Sequence, residues 1–79
     1  STSVQDFINE YCILDPEQRA WTSTLYDSYL EFCKENCETP VGRTEFAKNI
    51  YSIPSVHAQK FQKNHTQLQG ARGIALKSL

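Results

Sequence analysis

The side chains that could do chemistry in this sequence are basic or hydrogen-bonding groups, and they gather in two stretches of its second half. The first set is Arg43, Thr44, Lys48 and Tyr51, and the second set is Lys60, Lys63, His65 and Arg72. Cations, hydroxyls and imidazoles of this kind bind phosphate oxygens and fix the register of a protein on a nucleic acid. The sequence therefore predicts these eight residues as DNA-binding candidates.

A solvated surface is the competing interpretation of both sets. A lysine and an arginine can simply face water on the outward side of a helix, and residues 63–70 can form a polar loop that binds nothing. Glu45 lies among the residues of the first set, and its charge would repel a phosphate backbone. The residue types alone leave both interpretations open.

The charge is divided between the two halves of the chain, although the formal net charge is only −1. Residues 1–38 hold eight acidic and two basic side chains, whereas residues 39–79 hold one acidic and six basic side chains. Such segregation indicates a surface that faces a polyanion on one side. The acidic half could equally dock on a basic protein.

No pattern typical of catalysis or of a cofactor site is present. The three glycines, Gly42, Gly70 and Gly73, do not form a G-x-x-x-x-G-K-[ST] phosphate loop, and no nucleophile elbow occurs. Cys33 and Cys37 are spaced like helix neighbours and do not have the paired turn spacing of a zinc site. We therefore expect no enzyme activity, cofactor, metal or small-molecule substrate.

The three cysteines and the hydropathy indicate a reduced, cytoplasmic protein. Cysteine frameworks of small secreted domains usually have even counts, whereas Cys12, Cys33 and Cys37 fall in apolar helical patterns. No apolar run of about 18 residues is present to span a membrane. Because the chain begins without Met, we expect residues 1–79 to be one domain cut from a larger protein.

Hydrophobic spacing predicts three helices. The first carries Val4, Phe7, Ile8, Tyr11 and Cys12 on one face and ends near Ile13. Residues 15–19 then form a polar connection, and residues 20–22 form a short extended piece that leads to a helix cap at Ser23.

The second helix is predicted to carry five residues on its apolar side, namely Tyr26, Tyr29, Leu30, Cys33 and Cys37. A turn over residues 38–42 follows, because Pro40 cannot continue a helix. The third helix, with Phe46, Ala47 and Ile50 inward, presents the first set of basic residues outward. This is a helix-turn-helix pattern, which helix pairs with other functions share.

The last third of the chain predicts a β-hairpin. Residues 56–62 and 71–77 have short extended patterns, and the polar tip between them, residues 63–70, is too long for a tight turn. Three helices followed by such a hairpin give an α+β fold, a small winged helix-turn-helix in which the hairpin is the wing.

Nearly the whole chain, residues 4–76, resembles the C-terminal domain of phage- and plasmid-type primase/helicases, which carry a superfamily 3 helicase motor. The pattern that carries the resemblance is Val4-x-x-Phe7-Ile8-x-Glu10-x-Cys12, then Leu25-Tyr26-x-x-Tyr29-x-x-Phe32-Cys33-x-Glu35-Asn36, then Pro40-Val41 with Phe46 and Ile50, and then Arg72-Gly73-Ile74-x-Leu76. None of these pieces is a catalytic motif.

The resemblance implies a non-catalytic winged-helix domain of a mobile-element replication protein. Such a domain binds or positions double- or single-stranded DNA weakly, beside the parent ATP-dependent motor. One departure is that the hairpin carries more glutamines than lysines, which argues against tight binding. The alternative is a protein-interaction module that docks on the motor domain or a replication partner through acidic helix faces at Asp27, Glu31 and Glu35.

Overall fold

A computed structural model describes residues 3–77, so the two ends of the predicted 1–79 domain lie outside the described residues. The elements follow the order α-β-α-α-β-β: α1 (Ser3–Tyr11), β1 (Cys12–Trp21), α2 (Thr22–Glu35), α3 (Arg43–Tyr51), β2 (His57–Lys63) and β3 (Thr66–Leu76). The strands form one antiparallel sheet in the order β1-β3-β2. The predicted α+β class and the three helices are confirmed, whereas the third strand was not predicted.

The core lies between the apolar sides of the helices and one face of the sheet. Phe7 of α1, Tyr29 of α2 and Phe46 of α3 are fully buried and pack ring against ring, with the Tyr29 and Phe46 centroids 4.9 Å apart. Ala71 and Ile74 of β3 close the same cluster. Burial of each side chain of this size contributes about 1.5–3 kcal/mol to the stability of the fold. The helical spacing in the sequence predicts all three rings on the apolar faces of their helices, and the structure confirms this.

The stretch that was expected to be a polar connection is strand β1, which forms one edge of the sheet. It pairs with β3 at both of its ends, while residues 15–18 bulge away between the pairs Leu14↔Ile74 and Arg19↔Arg72. Pro16, which has no N–H to donate, falls inside that bulge. A strand paired in two short pieces shows no continuous alternation, and for this reason the pattern did not reveal it.

Three predicted details of the helices are wrong. Helix α1 ends at Tyr11 rather than near Ile13, because Cys12 and Ile13 pair with β3. Ser23 is not the cap of α2, which begins one residue earlier at Thr22. Cys37 is exposed rather than part of the apolar face, because α2 ends at Glu35 and Cys37 adopts a left-handed backbone with φ 54°.

The tip of the hairpin is a tight turn and not a loose loop. Lys63 pairs with Thr66, so Asn64 and His65 alone connect β2 to β3. Both have positive φ, 49° and 69°, as the central residues of a type I′ turn do. Asn is common at such a position, but His is not, and this concealed the turn in the sequence.

Gly73 changes the side of the sheet to which the side chains of β3 point near the end of the strand. Arg72 and Ile74 would share one face of a regular strand, yet Arg72 is exposed and Ile74 is fully buried. Gly73 between them has φ +103°, and a Cβ there would collide with the carbonyl of Ser55. The Arg72-Gly73-Ile74 segment therefore requires glycine to place a cation outside and an apolar side chain inside.

Candidate nucleic-acid interface

Two tyrosines of α2 hold the chain just before α3 begins. The Val41 N–H donates to the Tyr29 hydroxyl at 2.9 Å, and the Tyr26 hydroxyl donates to the Val41 carbonyl at 2.9 Å. The two tyrosines are three residues apart and so lie on neighbouring turns of one helix face. Burial raises the pKa of Tyr29, which keeps its hydroxyl protonated as a hydrogen-bonding group. These bonds fix where α3 starts relative to α2.

The inner side of α3 is anchored by Phe46 and Ile50, both fully buried, so its other side must face outward. That outer side lines an open groove of about 770 Å³. The start of α2 and part of β3 line the same groove. The residues that line the groove are Thr22, Ser23, Arg43, Thr44, Ala47, Lys48, Tyr51, Ser52, Leu68 and Gln69.

The groove presents cations without a competing acid among its lining residues. The Arg43 guanidinium lies 4.9 Å from the centroid of the Tyr26 ring, a cation–π contact that restricts its motion. Lys48 is exposed one helical turn further along. Glu45 is turned to a different side of α3, where Asn49 hydrogen-bonds its backbone carbonyl at 2.8 Å and its carboxylate at 3.4 Å. The acid that the sequence sets beside the candidates therefore lies outside the groove.

Tyr51 forms part of the groove wall, and its hydroxyl is already engaged. It donates to the Gly70 carbonyl at 3.2 Å and accepts from the Gln69 amide at 3.3 Å. It also shares a 2.7 Å hydrogen bond with the Thr22 hydroxyl. Tyr51 therefore ties α3 to α2 and to β3, a positioning role that its outward place in the predicted helix did not suggest.

The cross-strand register separates the four hairpin candidates. Lys60 pairs with Gln69 and so shares the sheet face that meets Tyr51 and the groove. Arg72 and Lys63 are an odd number of residues from these positions, which places them on the opposite face. His65 lies in the turn. The structure thus brings together Arg43, Thr44, Lys48 and Tyr51, with Lys60 on the adjoining sheet face, and places the other three elsewhere.

Several groove residues were missed in the sequence. The sequence predicts Ser23 as a helix cap and places Leu68 and Gln69 in a loop, whereas all three line the groove. Both Leu68 and Gln69 belong to β3, and the pairing of Gln69 with Lys60 sets Gln69 on the sheet face that meets Tyr51. Had a two-residue turn been predicted at Asn64-His65, the second strand would have begun at Thr66 and would have included Leu68 and Gln69.

A second depression lies on the acidic side of the molecule, between α1, α2 and the end of β3. It measures about 460 Å³ and is lined by Glu10, Tyr11, Asp27, Ser28, Glu31, Leu76 and Lys77. The charge of Glu35 raises the pKa of Tyr11 at its edge. Asp27 and Glu31, which the sequence pointed to as a protein-docking face, are therefore neighbours in one groove.

A family model described as poxvirus D5 protein-like matches residues 1–74 of the chain. The chain belongs to this family. D5 is a poxvirus primase/helicase-type protein, so this D5-like chain is a primase/helicase-associated domain. A search of curated proteins finds no match. The predicted relationship to primase/helicases is therefore confirmed, and the family that matches is a viral one.

Two further observations concern the described part of the chain. Across residues 3–77, no group of three His, Cys, Asp or Glu side chains is arranged to hold a metal ion. None of the three helices, as far as they are described, has the length and apolarity needed to cross a membrane.

Proposed function

We propose that this D5-like chain is a winged-helix domain that binds or positions DNA for a viral primase/helicase-type replication protein. The element order α-β-α-α-β-β, with an outward α3 and a β2–β3 hairpin beside it, supports the winged-helix assignment. In this proposal α3 enters the DNA groove and the hairpin acts as the wing. The domain has no catalytic role of its own, and its other partner is the parent motor domain.

The α3 groove is the observation that carries the proposal. A major groove of about 12 Å admits one helix, and α3 exposes Arg43, Thr44 and Lys48 on the side that would enter. Arg43 is held by the Tyr26 ring, so less side-chain freedom is lost when it meets a phosphate or a base edge. Lys60 on the adjoining sheet face would contact the neighbouring backbone.

The small number of cations makes the binding weak and dependent on salt. With about three phosphate contacts on a duplex, the logarithm of the affinity falls by about 2.7 per tenfold rise in salt. Contacts of this kind position a protein without giving strong sequence preference. A positioning domain beside a motor fits these properties.

Charge removal in the groove tests the proposal. We expect R43Q/K48Q to lose roughly tenfold or more in affinity for a short duplex at about 50 mM salt, and its salt slope to be lower by about 1.8, because two phosphate contacts are removed. Fluorescence anisotropy over a salt series measures both quantities. The control is K34Q, which removes a lysine charge from the last turn of α2, away from the groove. Equal losses in the two variants would mean that general charge, rather than the α3 groove, governs binding.

A second candidate function is supported by the acidic groove. Three carboxylates, Glu10, Asp27 and Glu31, line it with the apolar side chains of Tyr11 and Leu76 and with one cation, Lys77, so its excess of negative charge suits a basic segment with an apolar anchor. The parent motor or a replication partner could supply such a segment. In this case the domain docks through its acidic side, and DNA binding is secondary.

A further inference from the structure

The face of the sheet opposite the α3 groove carries a linked set of aromatic and basic side chains. The Arg19 guanidinium lies 4.4 Å from the centroid of the Phe61 ring, and Phe61 stacks on Trp21 with centroids 4.7 Å apart. The Lys63 ammonium lies 5.1 Å from the Trp21 ring. We call this set the outer column: Arg19, Phe61, Trp21 and Lys63. Phe61 is buried, yet it is outside the main core cluster.

The outer column bridges two strands that are not neighbours. Arg19 and Trp21 belong to β1, Phe61 and Lys63 belong to β2, and β3 runs between them. Gly70 of β3 makes the bridge possible, because a Cβ at Gly70 would collide with the Phe61 ring and lie 2.9 Å from the Ala20 carbonyl. The Trp21 indole N–H also donates to the Phe61 carbonyl at 3.1 Å.

Two arginines and a histidine stand in register on this face. Arg72 pairs with Arg19 on one side and with His57 on the other, so the three residues form a row across the sheet. Adjacent strands are about 4.8 Å apart, which makes the row roughly 10 Å wide, and Lys63 lies about 20 Å further along the hairpin. Asp15 and Glu17 lie in the β1 bulge rather than in this row, and the Asp15 carboxylate accepts the Glu17 N–H at 2.9 Å.

We propose that this outer face binds the phosphate backbone of a single DNA strand, while the α3 groove holds duplex. The proposal rests on the proposed function, because it adds a surface for single-stranded DNA to a domain that is proposed to bind duplex DNA. Helix α3 packs on the Ala71 side of the sheet and the outer column lies on the other side, so the two surfaces point in different directions. A domain that carries both surfaces can stay bound where duplex meets single strand, as it does in front of a helicase motor.

The chemistry of the outer column favours backbone contact over base stacking. Phe61 and Trp21 already contact each other, and each also has a cation over its ring. Their rings therefore orient Arg19 and Lys63 and are not open to bases. Single-strand binding at this face should be insensitive to base sequence and steeply dependent on salt.

Anisotropy with a short oligothymidylate and with a short duplex tests the proposal. We expect R19Q/R72Q to lose roughly fivefold or more in affinity for the oligothymidylate, with a salt slope lower by about 1.4, because two single-strand contacts are removed. Its duplex affinity should stay within about twofold of the wild type. R43Q/K48Q should show the opposite selectivity, and K34Q, in the last turn of α2 and outside both surfaces, should change neither preference.

The single variant R72Q distinguishes the loss of a phosphate contact from a folding defect. Arg19 contacts Phe61, whereas Arg72 is exposed and has no ring contact, so R72Q should melt like the wild type and still lose about half of the change in slope. Oligothymidylate binding by R72Q and R19Q/R72Q that equals the wild type at every salt concentration would overturn the proposal. An equal loss of duplex and single-strand affinity in R19Q/R72Q would also overturn it, because both ligands would then share one surface. A failure of R43Q/K48Q to lose duplex binding would count against the α3 groove alone.

Discussion

At the scale of single residues, hydroxyl groups do more to position the candidate site than the sequence indicated. The Leu-Tyr-x-x-Tyr helix appeared to supply only apolar surface, but the hydroxyls of Tyr26 and Tyr29 hold both polar groups of the Val41 peptide. Tyr51 holds Gly70 and Thr22 in the same way on the other side of α3. The tyrosine rings of α2 pack in the core, and the tyrosine hydroxyls position α3, the helix that carries Arg43.

Removal of the Tyr29 hydroxyl tests this account. In Y29F the Val41 N–H and the Ser3 hydroxyl would lose a partner, because both bond to Tyr29 in a part-buried site. We expect the free energy of unfolding to fall by about 1–3 kcal/mol, the usual cost of an unsatisfied buried polar group. Urea denaturation measures it. Y11F is the matched control, because Tyr11 is only half-buried and lies at the protein surface. A loss in Y11F as large as that in Y29F would contradict the argument.

The three thiols should differ in reactivity according to their burial. Cys37 is exposed, whereas Cys12 and Cys33 are buried, and burial raises the pKa of Cys12 to about 11. We expect a thiol reagent at about pH 8 to label Cys37 alone in the native protein, because the thiolate is the reactive form. Peptide mass spectrometry identifies the labelled residue, with urea-unfolded protein as the control in which all three react. Rapid native labelling of Cys12 would show that β1 opens readily.

The raised pKa of Cys12 also has a consequence for stability. The unfolded chain loses this thiol proton near the ordinary value of 9.0, whereas the folded chain holds it to about 11. The native state therefore binds more protons in that interval, and stability should fall as the pH rises from about 9 to about 11. Urea midpoints that stay constant across this interval would contradict the burial of Cys12.

At the scale of elements, the sequence predicted what depends on a long, uninterrupted period. The helices keep their apolar spacing over two turns or more, so they were found with the right faces, and the turn over residues 38–42 was recognised from Pro40 and Gly42. Strand β1 was missed because its pairing is interrupted by a bulge. The hairpin was placed correctly, but its second strand was predicted to begin at residue 71 rather than at Thr66, because His65 in a left-handed backbone conformation carries no turn signal.

A substitution in the hairpin turn separates its structural role from its predicted DNA contact. His65 has φ 69°, a region that glycine adopts without the cost that a side chain brings. We expect H65G to raise the free energy of unfolding by roughly 0.5–1 kcal/mol. Thermal and urea unfolding measure the effect, and H65A, which keeps a Cβ, is the control that should give no gain. A loss of stability in H65G would mean that the imidazole makes contacts that outweigh the backbone strain.

At the scale of the whole molecule, the separation of charge along the chain becomes a separation in space. Five of the six cations of the second half lie on α3 and on the hairpin, whereas Lys77 lines the second groove together with Glu10, Asp27 and Glu31 of α1 and α2. The basic residues of α3 and of the hairpin could be proposed from the sequence, because their charge is visible without a fold. Their division into two surfaces could not, because it depends on which residues share a face of β2 and β3. Arg19 escaped notice for the same reason, since β1 had not been recognised.

This arrangement predicts that the acidic groove opposes DNA binding from a distance. In D27N/E31Q two carboxylates disappear from the side away from α3, so the field at the duplex becomes more favourable while every proposed phosphate contact stays in place. We expect duplex affinity to rise by about twofold to fivefold at low salt and the gain to vanish near about 0.15 M salt, where screening acts within about 8 Å. Anisotropy over a salt series measures it, with N9D/Q18E as a control of opposite charge. A fall in duplex affinity would place Asp27 and Glu31 in the DNA contact itself.

If the acidic groove is instead the docking site of the motor domain, the same D27N/E31Q variant should lose affinity for the isolated motor while keeping its gain on DNA. The two proposed partners are then assigned to two separate grooves of one small domain.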